Sequence, residues 1–339
     1  MANVNPLPVP NARYRQAVIW LAILLLISIS GFFLAITSGN LSFSFEQYLA
    51  VFAGNDSEHL AMRVIYELRL PRAILAFITG GLLAIAGALL QVLLRNPLAD
   101  PYVLGISGGA AVFALLALAL GLLTWQVSLS AFTGAMLAML LVFGLSRGHG
   151  SWTPTRLLLT GVVLAAGWGA IISFILSVAP QSQLRSMLFW LMGDLGYATH
   201  YLPGTIILIA GFVIALFTAR NLNILALGSV QAGALGVNVD RLRWQIYILA
   251  SILTAAAVVQ AGSVGFVGLI IPHTLRLLGL RDYRFLIPGC VLAGGSLLVI
   301  ADTLARSMFT DISLPVGVIT AGIGVPVFVF LLYKGNRTS

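Results

Sequence analysis

The chain alternates between long apolar runs and short polar connections. One run, Ala73 to Leu94, holds 22 residues without a charge. A helix rises about 1.5 Å per residue, so a run of this length can cross a bilayer core of about 30 Å. Ten apolar segments lie at residues 17–36, 73–94, 103–123, 127–146, 157–179, 203–219, 244–261, 264–280, 285–304 and 315–333. The pattern predicts an all-α polytopic membrane protein with about ten transmembrane helices.

The composition favours a single membrane domain. Of the 339 residues, 60% are hydrophobic and 8% are charged, whereas a soluble domain carries about 25% charged residues. No Ser- or Pro-rich linker divides the chain, so residues 1–339 are predicted to form one transmembrane domain with a short N-terminal tail, 1–16. The lone cysteine, Cys290, excludes an internal disulfide and a cysteine-based metal or haem site.

Prolines lie at the starts of several predicted spans and inside others, and three long connections join spans. Proline stands in the first turn of four spans, at Pro71, Pro154, Pro203 and Pro315. Pro272 and Pro326 fall inside spans and should kink them. The connections are an outer loop, 37–70, a short amphipathic piece within 180–202 that predicts a re-entrant or surface helix, and a cytoplasmic loop, 220–243. The last suits either a short helix pair or an ordinary connector.

The distribution of basic residues predicts the orientation. If the N-terminus is cytoplasmic, 13 of the 18 Lys and Arg residues fall in cytoplasmic segments. The positive-inside rule therefore places both termini in the cytoplasm, and the chain is expected in the inner (plasma) membrane. The formal net charge of +8 does not indicate nucleic-acid binding, because the arginines are scattered between apolar runs rather than clustered.

The chain lacks the residues that ATP hydrolysis or metal catalysis would need. The only lysine, Lys334, lies in YKGNRTS, so no P-loop exists, and ATP and Mg²⁺ would have to bind a partner chain. The four histidines never occur at metal-binding spacing, so no catalytic residue and no metal site is predicted. This chain is therefore expected to bind no cofactor and to have no enzymatic activity of its own.

Charged residues in the spans separate two classes of transporter. A proton-coupled secondary transporter needs an intramembrane carboxylate, and Asp302 is the principal candidate. Asp302 also lies four residues before Arg306, a spacing that predicts a structural ion pair. Arg69 and Arg72 are predicted at the outer N-terminal end of a helix, where the macrodipole disfavours cations. They could bind carboxylates of a partner protein or reach the lipid headgroups.

Several motifs in order resemble the FecCD-type permease subunits of ABC importers for ferric siderophores, haem and cobalamin. They are LRLPR, RNPLADP, GISGGA, RLLLTG, FWLMG, LNILALG with ALGVNV, GFVGLIIPHTLRLLG, LIPGCVLAGGSLLVIADTLAR and LPVGVITAGIGVPVFVFLL. The resemblance covers nearly the whole chain. It implies a type II ABC importer permease-like bundle that forms a dimer, with two cytoplasmic ATPase subunits below and a periplasmic or surface substrate-binding protein above. Whether the second permease is an identical chain stays open, although a homodimer is expected.

The resemblance also implies roles for particular residues. Arg69, Arg72 and Arg306 match the arginines that receive acidic residues of the binding protein. Asn96 and Leu98 match an inner gate, and Thr155 matches a second gate position, although Pro154 precedes it here.

The same resemblance assigns residues 226–237 to the helices that contact the ATPase. The matched positions are Leu227, Gly228, Ser229, Gln231, Ala232, Leu235 and Gly236. Ser229 stands where an acidic residue is usual, and Gly233 replaces a longer side chain. The function implied is import of a metal chelate, with selectivity residing largely in the binding protein.

Overall fold

A computed structural model of the chain describes residues 10–39, 41, 43–52, 59–146, 153–197, 200–309 and 313–335. Its α-helices are α1 (Pro10–Thr37), α2 (Phe45–Phe52), α3 (His59–Arg63), α4 (Leu70–Leu93), α5 (Ile106–Ala119), α6 (Thr124–Ser146), α7 (Pro154–Val178), α8 (Gln181–Met192), α9 (Leu202–Leu227), α10 (Ser229–Ala234), α11 (Val239–Ala261), α12 (Val267–Leu277), α13 (Tyr283–Ser307) and α14 (Val316–Gly335). A π-helical turn (Val64–Arg69) and two 3-10 turns (Pro101–Leu104 and Leu195–Tyr197) complete the secondary structure. Within these ranges there is no β-strand.

Each of the ten predicted spans contains a helix, and the all-α membrane fold is confirmed. In the described part of the chain, seven helices are long and apolar enough to cross a bilayer. Three further apolar helices are shorter, namely α5, α12 and the apolar part of α14. Pro272 and Pro326 lie inside α12 and α14 as predicted, and Pro288 lies inside α13, which the sequence reading did not single out.

Helix α4 is the centre of the bundle. It is apolar on all sides, which suits a helix enclosed by other helices or by lipid. The most apolar stretch of the helix that ends at Leu93 is 89% buried, compared with 22% for the corresponding stretch of α1. Helices α9, α11, α12 and α13 surround it. Most of the other helices therefore take their positions from contacts with α4 or its neighbours.

Glycines allow the backbones around α4 to touch. A Cβ at Gly87 would overlap the carbonyl oxygen of Gly268 in α12 and lie 2.7 Å from the Cα of Gly268. A Cβ at Gly109 in α5 would lie 2.6 Å from the Cβ of Ala138 in α6. Membrane helices use small residues in this way to gain van der Waals contact. Gly105 has another role, because its φ of 70° forms the turn between the 3-10 segment and α5.

Pro71 lies in the first turn of α4, as predicted, but helical structure begins further back along the chain. The chain is helical from His59, and the π-turn Val64–Arg69 leads directly into α4, with the Leu70 N–H donating to the Ile65 carbonyl five residues back. Such local π adjustments let a membrane helix continue past a proline. The outer connection 37–70 is consequently part helix, and Arg69 and Arg72 are not at a helix N-terminus.

The polar turn after α4 leads back into the bundle. The 3-10 segment Pro101–Leu104 and the start of α12 meet α4 near its middle, since a Cβ at Gly268 would lie 2.6 Å from Pro101 and 2.9 Å from the Leu83 carbonyl oxygen. The Tyr102 hydroxyl also accepts a hydrogen bond of 3.0 Å from the Val264 N–H. The Asn96–Pro101 segment therefore runs from the end of α4 to mid-helix depth and is not only a turn at the inner mouth.

Candidate functional site

Arg69 is buried and fastens the segment that follows α1. Its side chain is 3% exposed. Nη1 donates to the Ile36 carbonyl at 2.7 Å and to the Tyr48 hydroxyl at 2.9 Å, Nη2 donates to the Leu41 carbonyl, and the guanidinium lies 5.4 Å from the centre of the Phe43 ring. These contacts engage both Nη atoms of the Arg69 guanidinium group inside the protein. The expectation of an accessible docking cation at Arg69 is therefore wrong for this structure.

The other two predicted docking arginines share one carboxylate. Arg72 donates to both oxygens of Asp302 at 2.9–3.1 Å, and Arg306 donates to Oδ2 of Asp302 at 3.0 Å. Arg72 also lies 3.4 Å from Asp194, at the end of α8. We call Arg72, Asp194, Asp302 and Arg306 the outer cluster. The predicted Asp302–Arg306 pair is confirmed, whereas the pairing of Asp302 with Arg72, 230 residues away, was not predicted.

The outer cluster balances its own charges. It holds two arginines and two carboxylates, and the Asp302 side chain is only 1% exposed. Buried ions are stable when they are paired and hydrogen-bonded. The side chains of Arg72 and Arg306 stay 24% and 16% exposed, so they reach the surface at the edge of the cluster. Nη2 of Arg306 has no hydrogen-bond partner among the described residues.

Of the three residues matched to an inner gate, two are joined by a hydrogen bond. The Asn96 side chain accepts a hydrogen bond of 2.9 Å from the Leu98 N–H, which fixes the turn after α4. Leu98 is exposed, and Asn96 is half-buried. Thr155 is exposed in the first turn of α7 and is joined to neither residue by a hydrogen bond within the described ranges. The structure thus joins Asn96 to Leu98, and within the described residues Thr155 has no hydrogen bond to either.

The loop 220–243, predicted to be either a short helix pair or an ordinary connector, contains one short helix. Helix α9 continues to Leu227, Gly228 turns the chain at a φ of 135°, and α10 follows at Ser229–Ala234. The left-handed φ at Gly228 suits glycine because it carries no Cβ. Gly236, with a φ of 82°, ends the segment before α11. Continuation of α9 through residues 220–227 leaves too few residues for a second helix.

Helix α10 presents apolar side chains and is tied to the end of α4. Leu227, Val230 and Leu235 are exposed, Val230 by 81%, whereas Ala232 is buried. Gln231 is exposed beside them. Arg95, the first residue after the C-cap of α4, has a left-handed φ of 49°, and its Nη2 donates to the Ser229 hydroxyl at 3.2 Å. Val230 and Arg95 were missed from the sequence, although Val230 lies inside the matched stretch.

The chemistry of these sites is that of contact and motion rather than catalysis. Within the described residues, no group of three or more His, Cys, Asp or Glu side chains is placed to hold a metal ion. The outer cluster offers paired cations at one end of α4, and α10 offers an apolar surface at the other. Helix α4 therefore connects two candidate docking surfaces at opposite ends of the bundle.

Comparisons with known proteins match nearly the whole chain to membrane permeases. A family model described as the FecCD transport family matches residues 23–334. The vitamin B12 import system permease protein BtuC of Escherichia coli is 35% identical over 337 residues, which cover 98% of this chain and 100% of that protein. The cobalamin import system permease protein BtuC of Halobacterium salinarum is 42% identical over 275 residues, or 80% of this chain and 74% of that protein.

Two solved structures resemble the fold. A metal-chelate type ABC transporter in an inward-facing conformation superposes with a TM-score of 0.81 at 31% identity, covering 94% of this chain and 99% of that one. PsaBC from Streptococcus pneumoniae, solved with a Fab, gives a TM-score of 0.52 at 15% identity over 84% of this chain and 95% of that one. The second likeness concerns the fold alone.

Proposed function

This chain belongs to the FecCD transport family, and we propose that two copies of it form the membrane pathway of an importer for cobalamin-type corrinoids. The chain is the permease subunit of an ABC importer for cobalamin or a siderophore, and a separate subunit hydrolyses ATP. It is a multi-pass protein of the inner membrane and acts with ATPase and substrate-binding partners in a dimeric permease. The proposal adds two points to this: the second permease subunit is an identical chain, and the transported chelate is a corrinoid.

The observation that carries the proposal is the end-to-end match to BtuC from Escherichia coli, 35% identical over 98% of this chain. BtuC from Halobacterium salinarum is named for the same cargo and is 42% identical. A cobalt corrinoid is therefore the first substrate to test. Ferric siderophores and haem are the other chelates that the family transports, and they are the alternative outcomes of that test.

We propose that α10 receives the motion of the ATPase pair. Exposed Leu227, Val230 and Leu235 form an apolar surface of the kind that a protein interface buries. Displacement of α10 would pull on Ser229 and, through its hydrogen bond to Arg95, on the end of α4. The turn with Asn96 and Leu98 begins at that point, so the same motion would open or close the inner mouth.

At the opposite end, we propose that Arg72 and Arg306 receive carboxylates of the substrate-binding protein. Their side chains are 24% and 16% exposed, and the guanidinium N–H groups that Asp302 and Asp194 do not use can donate charge-assisted hydrogen bonds to a carboxylate. Arg69 is excluded from this role, because its donors are used within the chain. We also propose that both termini lie in the cytoplasm, as the distribution of basic residues predicts.

Reconstituted transport tests the proposed cargo. The permease, its ATPase and its binding protein are placed in vesicles, and uptake of cyanocobalamin is compared with uptake of a ferric siderophore and of haem. We expect ATP-dependent cyanocobalamin uptake that a proton uncoupler does not abolish. Preference for the siderophore or haem would replace the proposed cargo. Uptake by this chain alone, driven by a pH gradient, would contradict the importer mechanism.

Replacing Val230 by Asp should separate the permease from its ATPase. A carboxylate buried without a partner in an apolar interface weakens binding, and a central contact of this kind is worth about 2 kcal/mol or more, which is roughly 30-fold in affinity. We expect loss of ATP-driven uptake and of ATPase co-purification, while the permease still folds because Val230 is exposed. Asn221→Asp, which adds the same charge to an exposed position near the end of α9, is the control and should retain both. If the two variants behaved alike, α10 would not be part of the contact with the ATPase.

A further inference from the structure

A polar cavity lies where α1, α12 and α13 meet at the cytoplasmic end of the bundle. Its volume is about 490 Å³, within the range of ordinary ligand pockets, about 300–1,000 Å³. The polar side chains around it come from Tyr14, Gln16, Arg276, Arg281, Asp282 and Arg284. We call it the basic cavity. Neither α10 nor the outer cluster contributes to it, so the transport roles described above leave it unexplained.

The basic cavity carries a net positive charge. It contains three arginines and one carboxylate, for a formal balance of +2. Arg284 pairs with Asp282 at 2.6 Å. Burial alone would raise the pKa of Asp282, but hydrogen bonds from Arg284 and Asn223 outweigh it and hold that pKa below its usual range. The carboxylate is therefore ionised at neutral pH, and two positive charges remain.

Neither of the remaining charges is matched by an acidic group in the described ranges. Arg276 donates to neutral oxygens, those of Gln91 and Tyr283, and its guanidinium lies 5.7 Å from the centre of the Tyr283 ring. Arg281 is exposed at the mouth and forms no ion pair with a described residue. An anion in the cavity would meet one cation held in place by its neighbours and one free to close over it.

The walls of the basic cavity are built by contacts between helices. Gln16 of α1 donates to the Leu278 carbonyl at the end of α12 at 3.2 Å. Asn223 of α9 accepts from the Tyr283 N–H at 2.9 Å and donates to Asp282 at 2.8 Å. The cavity is thus part of the folded bundle and not a gap between mobile side chains.

Apolar side chains flank the mouth of the basic cavity. Tyr14 and Leu277 are exposed, and Tyr14 packs edge-to-face on Phe285 with ring centres 5.4 Å apart. Further along α1, Ile19 and Leu26 are also exposed, as expected of a helix face in contact with acyl chains. A ligand here would have its anionic part in the cavity and an apolar part against α1. A free phosphate ion uses only the first of these features, whereas a phospholipid uses both.

We propose that the basic cavity binds the phosphate-bearing headgroup of an anionic phospholipid from the cytoplasmic leaflet. Arginine forks suit phosphate oxygens, and basic pockets between helices on the cytoplasmic side recognise such headgroups. The lipid joins the first helix to α12 and α13. The inference does not depend on which chelate the importer carries.

Native mass spectrometry of the delipidated full-length permease tests the proposal. The protein is titrated with phosphatidylglycerol, with phosphatidylcholine and with inorganic phosphate. We expect retained phosphatidylglycerol adducts and few phosphatidylcholine adducts. Arg281→Gln should weaken phosphatidylglycerol binding about fivefold, the effect of one basic side chain near an anionic membrane surface. Arg281→Glu should abolish the preference for phosphatidylglycerol over phosphatidylcholine.

The matched control is Arg156→Gln, which removes an exposed arginine from the same side of the protein but outside the cavity. It should bind phosphatidylglycerol as the unmodified chain does. Equal weakening in the two Gln variants would mean that only the general positive field attracts the lipid and would overturn the assigned site. Displacement of phosphatidylglycerol by millimolar inorganic phosphate would identify a soluble anion as the ligand and would overturn the lipid proposal.

Discussion

Asp302→Asn should destabilise the permease strongly. The amide keeps the shape of the side chain but removes the charge that pairs Arg72 with Arg306, and leaves two cations close together in a largely buried cluster. Breaking a buried ion pair by removing one partner costs about 3–5 kcal/mol. We expect a large fall in the apparent melting temperature in detergent and a poor yield of monodisperse protein.

The exposed pair Arg63–Glu67 supplies the control for Asp302→Asn. Its atoms are 3.4 Å apart, but its side chains are 74% and 63% exposed, so Glu67→Gln should cost under about 1 kcal/mol. Combining Asp302→Asn with Arg306→Met should recover part of the loss, because one of the unpaired cations is removed. Equal shifts for Asp302→Asn and Glu67→Gln would show that the outer cluster does not hold the fold. A variant that folds normally and loses only proton-driven uptake would favour the secondary-transporter alternative.

Gly87→Ala should be the most disruptive single-methyl change in α4. The added Cβ would overlap the Gly268 carbonyl oxygen, which belongs to the backbone of α12 and cannot rotate away. The two helices would have to separate at the point where the 3-10 segment Pro101–Leu104 also packs. Overpacking of this kind costs about 1–3 kcal/mol and sometimes more, and the thermal transition of the purified protein measures it.

Gly144→Ala is the matched control for Gly87→Ala. Gly144 lies exposed in α6, and a Cβ there would meet nothing within 4 Å. The substitution should leave stability unchanged or raise it by up to about 1 kcal/mol, because alanine is the better helix former. If the two variants melted alike, close backbone contact at Gly87 would not be important for stability.

The spans could be predicted from the sequence because bilayer thickness and apolar run length are tied together by simple geometry. All ten predicted segments contain helices, even α12 with 11 residues. The helical residues before α4 were not predicted, because Pro71 is a strong sign of a first helical turn. The sequence has no comparable sign for the π-turn that lets the helix continue past it.

The site residues were harder to predict because their partners are distant in sequence. The predicted place of Arg69 and Arg72 at the outer end of a membrane helix indicated that they could bind a partner. It did not indicate that Arg69 turns inward to Ile36 and Leu41, or that Arg72 pairs with Asp302. Asp302–Arg306 could be predicted because one helix fixes the i,i+4 spacing. In the loop 220–243, composition left open a short helix pair or an ordinary connector, and only the fold shows that α9 occupies the first third of that loop, 220–227.

The burial of α4 also sets an order of events during synthesis. The helix that packs most extensively against α4 is α13. It begins at Tyr283, about 190 residues after α4 ends at Leu93. At about 5–20 residues per second, a ribosome needs roughly 10–40 s to cover that distance. Through most of this interval the glycine-lined faces of α4 have no α12 or α13 to meet, and Arg72 lacks Asp302, while Asp194 is synthesised only about halfway through it. The nascent chain must therefore keep its central helix in a temporary environment of lipid, or of a helper protein, until the last third of the chain arrives.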